Sequence, residues 1–175
     1  AVGAALVQRR LIERSVDVAV AAALGPVSLW CAPSIEHDVF ASLAARYDLP
    51  LYRQTDGDLG ARMQYAFATL TANGPALLMG TDCAVITSTH LQRSACALAE
   101  ADATAVPVED GGYILLGLHR PEPSLFTDVD WGTAVVMDQT RQRAASAGIH
   151  LIELEPLWDI DRPQDYDRAI TQGVL

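Results

Sequence analysis

The sequence predicts a layered α/β fold, helices on both sides of a mixed but mainly parallel sheet (a three-layer α/β/α arrangement), and three observations carry that prediction. Helix-period and strand-like segments alternate along almost the whole of its 175 residues. Half of the residues are apolar, enough for a full core without staples. One stretch, "ATAVPVEDGGYILLGLH" from Ala103 to His119, breaks the alternation with two strands around a Gly-Gly bend, a β-hairpin-like insertion.

The elements follow in order. A helix over 4–23 carries Arg9, Arg10, Glu13, Arg14 and Asp17 at spacings of three and four, the outer face of an amphipathic helix. After Gly25-Pro26 comes a short strand, Val27 to Cys31, then a helix from about Ser34 to Tyr47 with Ser34 as its cap. "LPLYRQ" is a brief strand, and "DGDLGARM" opens a helix that turns Met63, Ala66, Phe67 and Leu70 inward. Asn73-Gly74-Pro75 stops it. A strand over 76–80 precedes a helix near 88–100 that buries Leu91, Ala95 and Leu98. Beyond the hairpin, a helix over 134–147 ends at Gly148, a strand lies in "IHLIELE", and Pro163 starts the last helix. No linker, repeat or low-complexity stretch divides the chain, so residues 1–175 are expected to form one domain.

Composition excludes several functions. No window of about 18 uninterrupted apolar residues exists to span a membrane. The formal net charge is −10, concentrated in residues 99–175, where five Arg face fourteen acids; binding to nucleic acid needs clustered cations instead. Cys31, Cys83 and Cys96 form neither a disulfide framework nor a zinc spacing, which suits a reducing cytosol, so a cytoplasmic location is expected. All twelve cations are Arg, so no lysine can serve a Walker-type phosphate loop or a Schiff base.

Four segments can carry chemistry. In "LLMGTDC" an apolar run drives into Asp82, where a carboxylate beyond a strand end can hold Mg²⁺ or Mn²⁺ or can satisfy backbone amides in a turn. In "WDIDRP", Asp159 and Asp161 point the same way if the segment is extended; Asp161 can instead favour the N-terminus of the helix behind it. In "EDGGY", Asp110 can meet a metal or a sugar hydroxyl, or mark a plain hairpin turn. In "DGDLGARM", Gly60 allows close approach and Arg62 can neutralise phosphate, while Asp58 is also a natural helix cap. His37, His90, His119 and His150 show no ligand spacing and read as surface residues. Cys83 reads as a small packed side chain, and Trp131 as either an acceptor-pocket wall or a core plug.

Taken in order, "LLMGTDC", "EDGGYILLGL", "LF…WGT" and "DIDRPQDY" resemble an uncharacterised bacterial family of glycosyltransferase-like proteins. It belongs to the GT-A nucleotide-diphospho-sugar transferase superfamily and is related to phospholactate and molybdenum-cofactor guanylyltransferases. The resemblance runs from about Asp56 to Ala169. It implies a GT-A fold, with Asp82 and Asp161 as ligands of Mg²⁺ or Mn²⁺. Asp58, Gly60, Arg62 and Thr81 would lie beside the nucleotide, and Asp110 would position the acceptor or act as a base. The family usually opens on a strand and a phosphate-gripping loop with Gly and Lys or Arg. This sequence opens on a helix, so that strand and loop are expected upstream, or the sheet is built differently. Ala84 stands where the family has Pro, and Arg162 where it has Thr.

The function implied is a metal-dependent transferase moving a glycosyl group from a nucleotide-diphospho-sugar to a small-molecule acceptor. A nucleotidyltransferase acting on a phosphorylated small molecule is the alternative, favoured by a lone aspartate in place of Asp-x-Asp. A degenerate, non-catalytic scaffold is the third. The expected partners are the nucleotide or nucleotide-sugar donor and the acceptor, with room for a homodimer.

Overall fold

The structure, a computed structural model, describes residues 2–160 and 163–174, the side chains of Val2 and Pro163 excepted. Its elements are α1 (Val2–Ala22), β1 (Leu29–Cys31), α2 (Asp38–Tyr47), β2 (Leu51–Arg53), α3 (Leu59–Leu70), β3 (Ala76–Met79), α4 (Ser88–Leu98), β4 (Ala103–Pro107), β5 (Tyr113–Leu118), α5 (Val136–Ala147), β6 (Leu151–Glu153) and α6 (Pro163–Thr171). The mixed α/β class is the one the sequence predicts, with β4 and β5 as the hairpin.

The sheet comes in two parts. β1 and β2 pair in parallel, while β3-β5-β4-β6 form a four-stranded sheet. Within it β5 is antiparallel to β3 and β4, and β4 is parallel to β6; three strands therefore run one way and β5 runs against them. The β4–β5 register shifts between Val106 and Pro107, a bulge at the end that leads into the hairpin tip.

Alternation along the strands builds two cores on opposite faces of the larger sheet. Ala103, Ala105, Leu116 and Leu118 pack with Met63 and Phe67 of α3 and Met137 and Ala144 of α5. Val106, Val108 and Leu115 pack with Val18 and Ala22 of α1 and Leu91 of α4. A third cluster joins Val16 of α1 to Val39 and Leu43 of α2 and to Leu49. Helix α1 thus packs against both parts of the sheet. Among the described residues no helix is long and apolar enough to cross a membrane.

Three local expectations are corrected. Helix α2 starts at Asp38, not near Ser34: His37 caps it by accepting from Val39 N–H (3.2 Å), while the Ser34 hydroxyl accepts from Glu36 N–H (3.1 Å) in a local turn. Arg14 does not lie on the outer face of α1; it is half-buried and donates to the carbonyls of Ala84 (2.6 Å) and Ile86 (3.2 Å). His90 is not a plain surface residue, because its Nδ1 accepts from Thr87 N–H (3.0 Å) at the start of α4.

Candidate functional site

Ligands of open α/β sheets sit beyond the carboxyl ends of the parallel strands. Here β3, β4 and β6 deliver their following segments to one end of the larger sheet, and backbone bonds join them there. Glu109 N–H donates to Leu157 C=O (3.0 Å), and Leu157 N–H to Pro107 C=O (2.9 Å). The Cys83 thiol donates to Trp158 C=O (3.2 Å), and Ile160 N–H to Asp82 C=O (2.9 Å). Segments quoted apart in the sequence, "TDC", "VED" and "LWDI", are therefore one assembly.

Asp82 is half-buried at its centre. Its Oδ1 accepts from Gln8 Nε2 (3.1 Å) and, at the limit of a hydrogen bond, from Thr81 Oγ1 (3.5 Å). Among the described residues its side-chain hydrogen-bond donors are these neutral groups, and it forms no ion pair with them. No three His, Cys, Asp or Glu side chains gather as a metal cage among the described residues. The donor chemistry nevertheless fits Mg²⁺ or Mn²⁺, which take one or two carboxylates and complete their shell with water and substrate phosphates. Asp161, the other expected ligand, lies outside the described residues, as does Arg162; the segment that leads to Asp161 is the one docked on Asp82 through Ile160. Cys83 is buried, and desolvation pushes its thiol pKa up, so it is a packed side chain and not a thiolate.

At the hairpin tip Asp110 is exposed, and its Oδ1 accepts from Gly112 N–H (3.1 Å), closing the turn. Gly111 has φ of +94°, and a Cβ on it would lie 2.1 Å from the carbonyl oxygen of Ala134, so no other residue fits. Glu109 forms a two-pronged ion pair with Arg168 of α6 (2.9 and 3.2 Å), whose guanidinium sits 4.3 Å over the Trp158 ring. That hydrogen-bonded guanidinium holds the Glu109 carboxyl below its usual range.

The "DGDLGARM" loop is built largely by local bonds. Asp58 caps α3 through Ala61 N–H (2.8 Å), and Arg62 donates to Gly57 C=O (3.2 Å) and, more weakly, to Gln54 (3.4 Å). Gly60 is buried beneath Trp131, whose Nε1 would be 2.5 Å from a Cβ there; Nε1 itself is buried with no hydrogen-bond partner among the described residues. Tyr113 meets Trp131 edge-on (6.4 Å between centroids) and reaches Met63. Trp131 packs against the core beside Met63 and Phe126, which gives it the plug's place.

Two features escaped sequence reasoning. Gln8 touches Asp82 from a helix that no motif connects to it. On the β1–β2 pair, Trp30 and Tyr52 are register partners and stack (4.9 Å), and Tyr65 of α3 meets Trp30 edge-on (5.9 Å). A cavity of about 270 Å³ beside them is lined by Arg53, Gln54, Thr55, Asp56 and Tyr65. The two aromatic residues at matching places of adjacent strands were the available signal.

Residues 15–133 match the model of a family described as uncharacterized proteins conserved in bacteria (DUF2064). The chain belongs to that family. The family match begins earlier than the expected resemblance, taking in the C-terminal third of α1 and the β1–β2 pair, and ends before "DIDRPQDY". It includes Asp82, Asp110 and Trp131. No curated protein matches the chain. Among solved structures, the chain is similar to the crystal structure of a "putative nucleotide-diphospho-sugar transferase" from Desulfovibrio desulfuricans G20. The TM-score is 0.79 at 24% identity, covering 90% of this chain and 70% of that one. A likeness at that identity shows the fold.

Proposed function

We propose that this member of the family is a metal-dependent transferase that binds a nucleotide-diphospho-sugar and passes the glycosyl group to a small-molecule acceptor. The observation that carries the reading is the docking of the Trp158–Ile160 segment on Asp82 and Cys83, which brings the chain before Asp161 to a half-buried carboxylate whose hydrogen-bond donors, among the described residues, are neutral. Asp82 and Asp161 would hold Mg²⁺ or Mn²⁺. When bound, the ion would neutralise negative charge on the diphosphate as the bond to the transferred group breaks.

The chain's own residues would do the rest. Thr81, with its hydroxyl against Asp82, would lie beside the phosphates. Arg62, at the first turn of α3, would add charge near the nucleotide; Asp58 caps that turn and Gly60 lets it pack against Trp131. The stacked rings of Trp30 and Tyr52, with Tyr65 at the neighbouring cavity, offer flat surfaces to a nucleobase. Asp110, exposed at the hairpin tip, would orient an acceptor hydroxyl or take its proton. The neighbouring crystal structure's description supports the sugar-nucleotide donor.

Nucleotidyl transfer, as in the related guanylyltransferases, is a second reading, favoured by the lone Asp82 in "GTDCA" with no second acid two residues away. Thermal-shift screening with UDP-, GDP- and CDP-linked sugars and with GTP, each with and without Mn²⁺, separates the two. A metal-dependent shift with a sugar nucleotide supports glycosyl transfer; one confined to GTP supports nucleotidyl transfer. Asp82→Ala should abolish whichever shift is seen, and its persistence would remove Asp82 from the metal site.

A further inference from the structure

We infer that Gln8 is a positioning residue for Asp82, fixing the carboxylate so that its free oxygen faces the cation; this rests on the reading of Asp82 as a metal ligand. Gln8 Nε2 donates to Oδ1 at 3.1 Å, and no hydrogen bond from the described residues engages Oδ2. A carboxylate has about four acceptor sites, so one held oxygen sets the rotamer and leaves the other for metal. The donor is a neutral amide, which orients the carboxylate without cancelling its charge, as hydrogen-bond partners of metal-binding carboxylates do.

The helix beneath Gln8 is anchored. Leu11, Ser15, Val18 and Ala22 of α1 are buried. Six residues beyond Gln8, about 9 Å along the helix, Arg14 donates to the Ala84 and Ile86 carbonyls. One helix therefore holds the loop after β3 at two points, its carboxylate through Gln8 and its trailing backbone through Arg14. Gln8 itself is exposed and contributes little to the core.

The test is titration with Mn²⁺, followed by the electron paramagnetic resonance signal of the free ion, with UDP or GDP present. Wild type is compared with Gln8→Leu, Gln8→Lys and Asp82→Asn, and each variant is also melted without metal. Gln8→Leu should raise the Mn²⁺ Kd about tenfold, the lower end for losing a partner of a metal ligand, while its Tm without metal stays that of wild type. Gln8→Lys should weaken Mn²⁺ further, because an ammonium competes with the cation for Asp82. Wild-type affinity in Gln8→Leu alongside lost binding in Asp82→Asn overturns the inference and leaves the metal role of Asp82 standing. A fall in metal-free Tm that accompanies the affinity loss overturns it too, since Gln8 would then be structural. Absence of Mn²⁺ binding by the wild type overturns both.

Discussion

The amide of Ile160 donates to the carbonyl of Asp82 at 2.9 Å, tying the segment after β6 to the loop after β3. If that tie builds the site, removing the donor should be felt in ligand binding. Ile160→Pro deletes the N–H and leaves a half-buried carbonyl short of a partner, at a cost of about 1–2 kcal/mol. Calorimetric titration with Mn²⁺ and GDP or UDP should show affinity at least fivefold weaker. Unchanged affinity in a folded Ile160→Pro protein would separate the segment from the site.

Glu109 and Arg168 predict a pH effect at the hairpin tip. The paired guanidinium depresses the folded-state pKa of Glu109 below its ordinary value of 4.5. A depressed carboxylate contributes its full stability above the unfolded pKa and loses it as pH falls through the lower folded one. Hydrogen exchange of the 109–113 amides should accelerate in Glu109→Gln relative to wild type at pH 7. The difference should shrink as pH drops below 4.5. The pair is exposed, so the global melting temperature should barely move.

Gly60 tests close packing at the start of α3, the turn proposed to lie beside the nucleotide. A Cβ there would lie 2.5–2.8 Å from Nε1, Cε2 and Cζ2 of Trp131. The indole is wedged among Phe126, Tyr113 and the core and has little room to retreat. Gly60→Ala should therefore cost about 1–3 kcal/mol, or roughly 3–10 °C in Tm by scanning calorimetry. Combining it with Trp131→Phe should restore part of the loss, because the smaller ring vacates the crowded volume.

How far the sequence reached follows from the range of the forces involved. The hairpin was legible because "EDGGY" between two apolar runs is a local signal, and α6 because a proline marks its first turn. The cap of α2 was misplaced because Ser34 and His37 both offer acceptors, and only packing decides between them. Arg14 and Gln8 were out of reach for another reason. Their partners lie some seventy positions away, and helix periodicity says which face a residue occupies, not what will be folded against it. The assembly around Asp82 was visible only as an ordered series of motifs; the hydrogen bonds from Cys83 and Ile160 that join them depend on strand order.

His90 gives a second pH prediction of the same sign by a different route. Burial, reinforced by Arg93 and opposed by Glu155, lowers its pKa below 6.5. The neutral ring is required, since Nδ1 accepts the Thr87 amide. Stability should be full above pH 6.5 and decline as pH falls through the lower folded-state pKa, where protonation removes the acceptor. His90→Ala should lose about 1 kcal/mol at pH 8, as helix-cap deletions do, and flatten this acid limb in urea melts. A retained limb would assign it to another group.

The aromatic face of the β1–β2 pair yields the last prediction. Trp30 and Tyr52 are register partners, so alternation sends both rings to the same side of the sheet, and Tyr65 closes on Trp30 from α3. Tyr52 is 41% and Tyr65 52% exposed, an unusual outlay of aromatic surface unless a ligand covers it. If a nucleobase stacks here, Tyr65→Ala should weaken Mn²⁺-dependent nucleotide binding about five- to tenfold, corresponding to about 1–1.4 kcal/mol for one ring contact. Tyr65→Phe should bind as wild type does, because stacking uses the ring and not the hydroxyl. Ribose 5-phosphate, which lacks a base, should bind Tyr65→Ala and wild type equally. Equal nucleotide affinity for Tyr65→Ala and wild type would move the base away from this face.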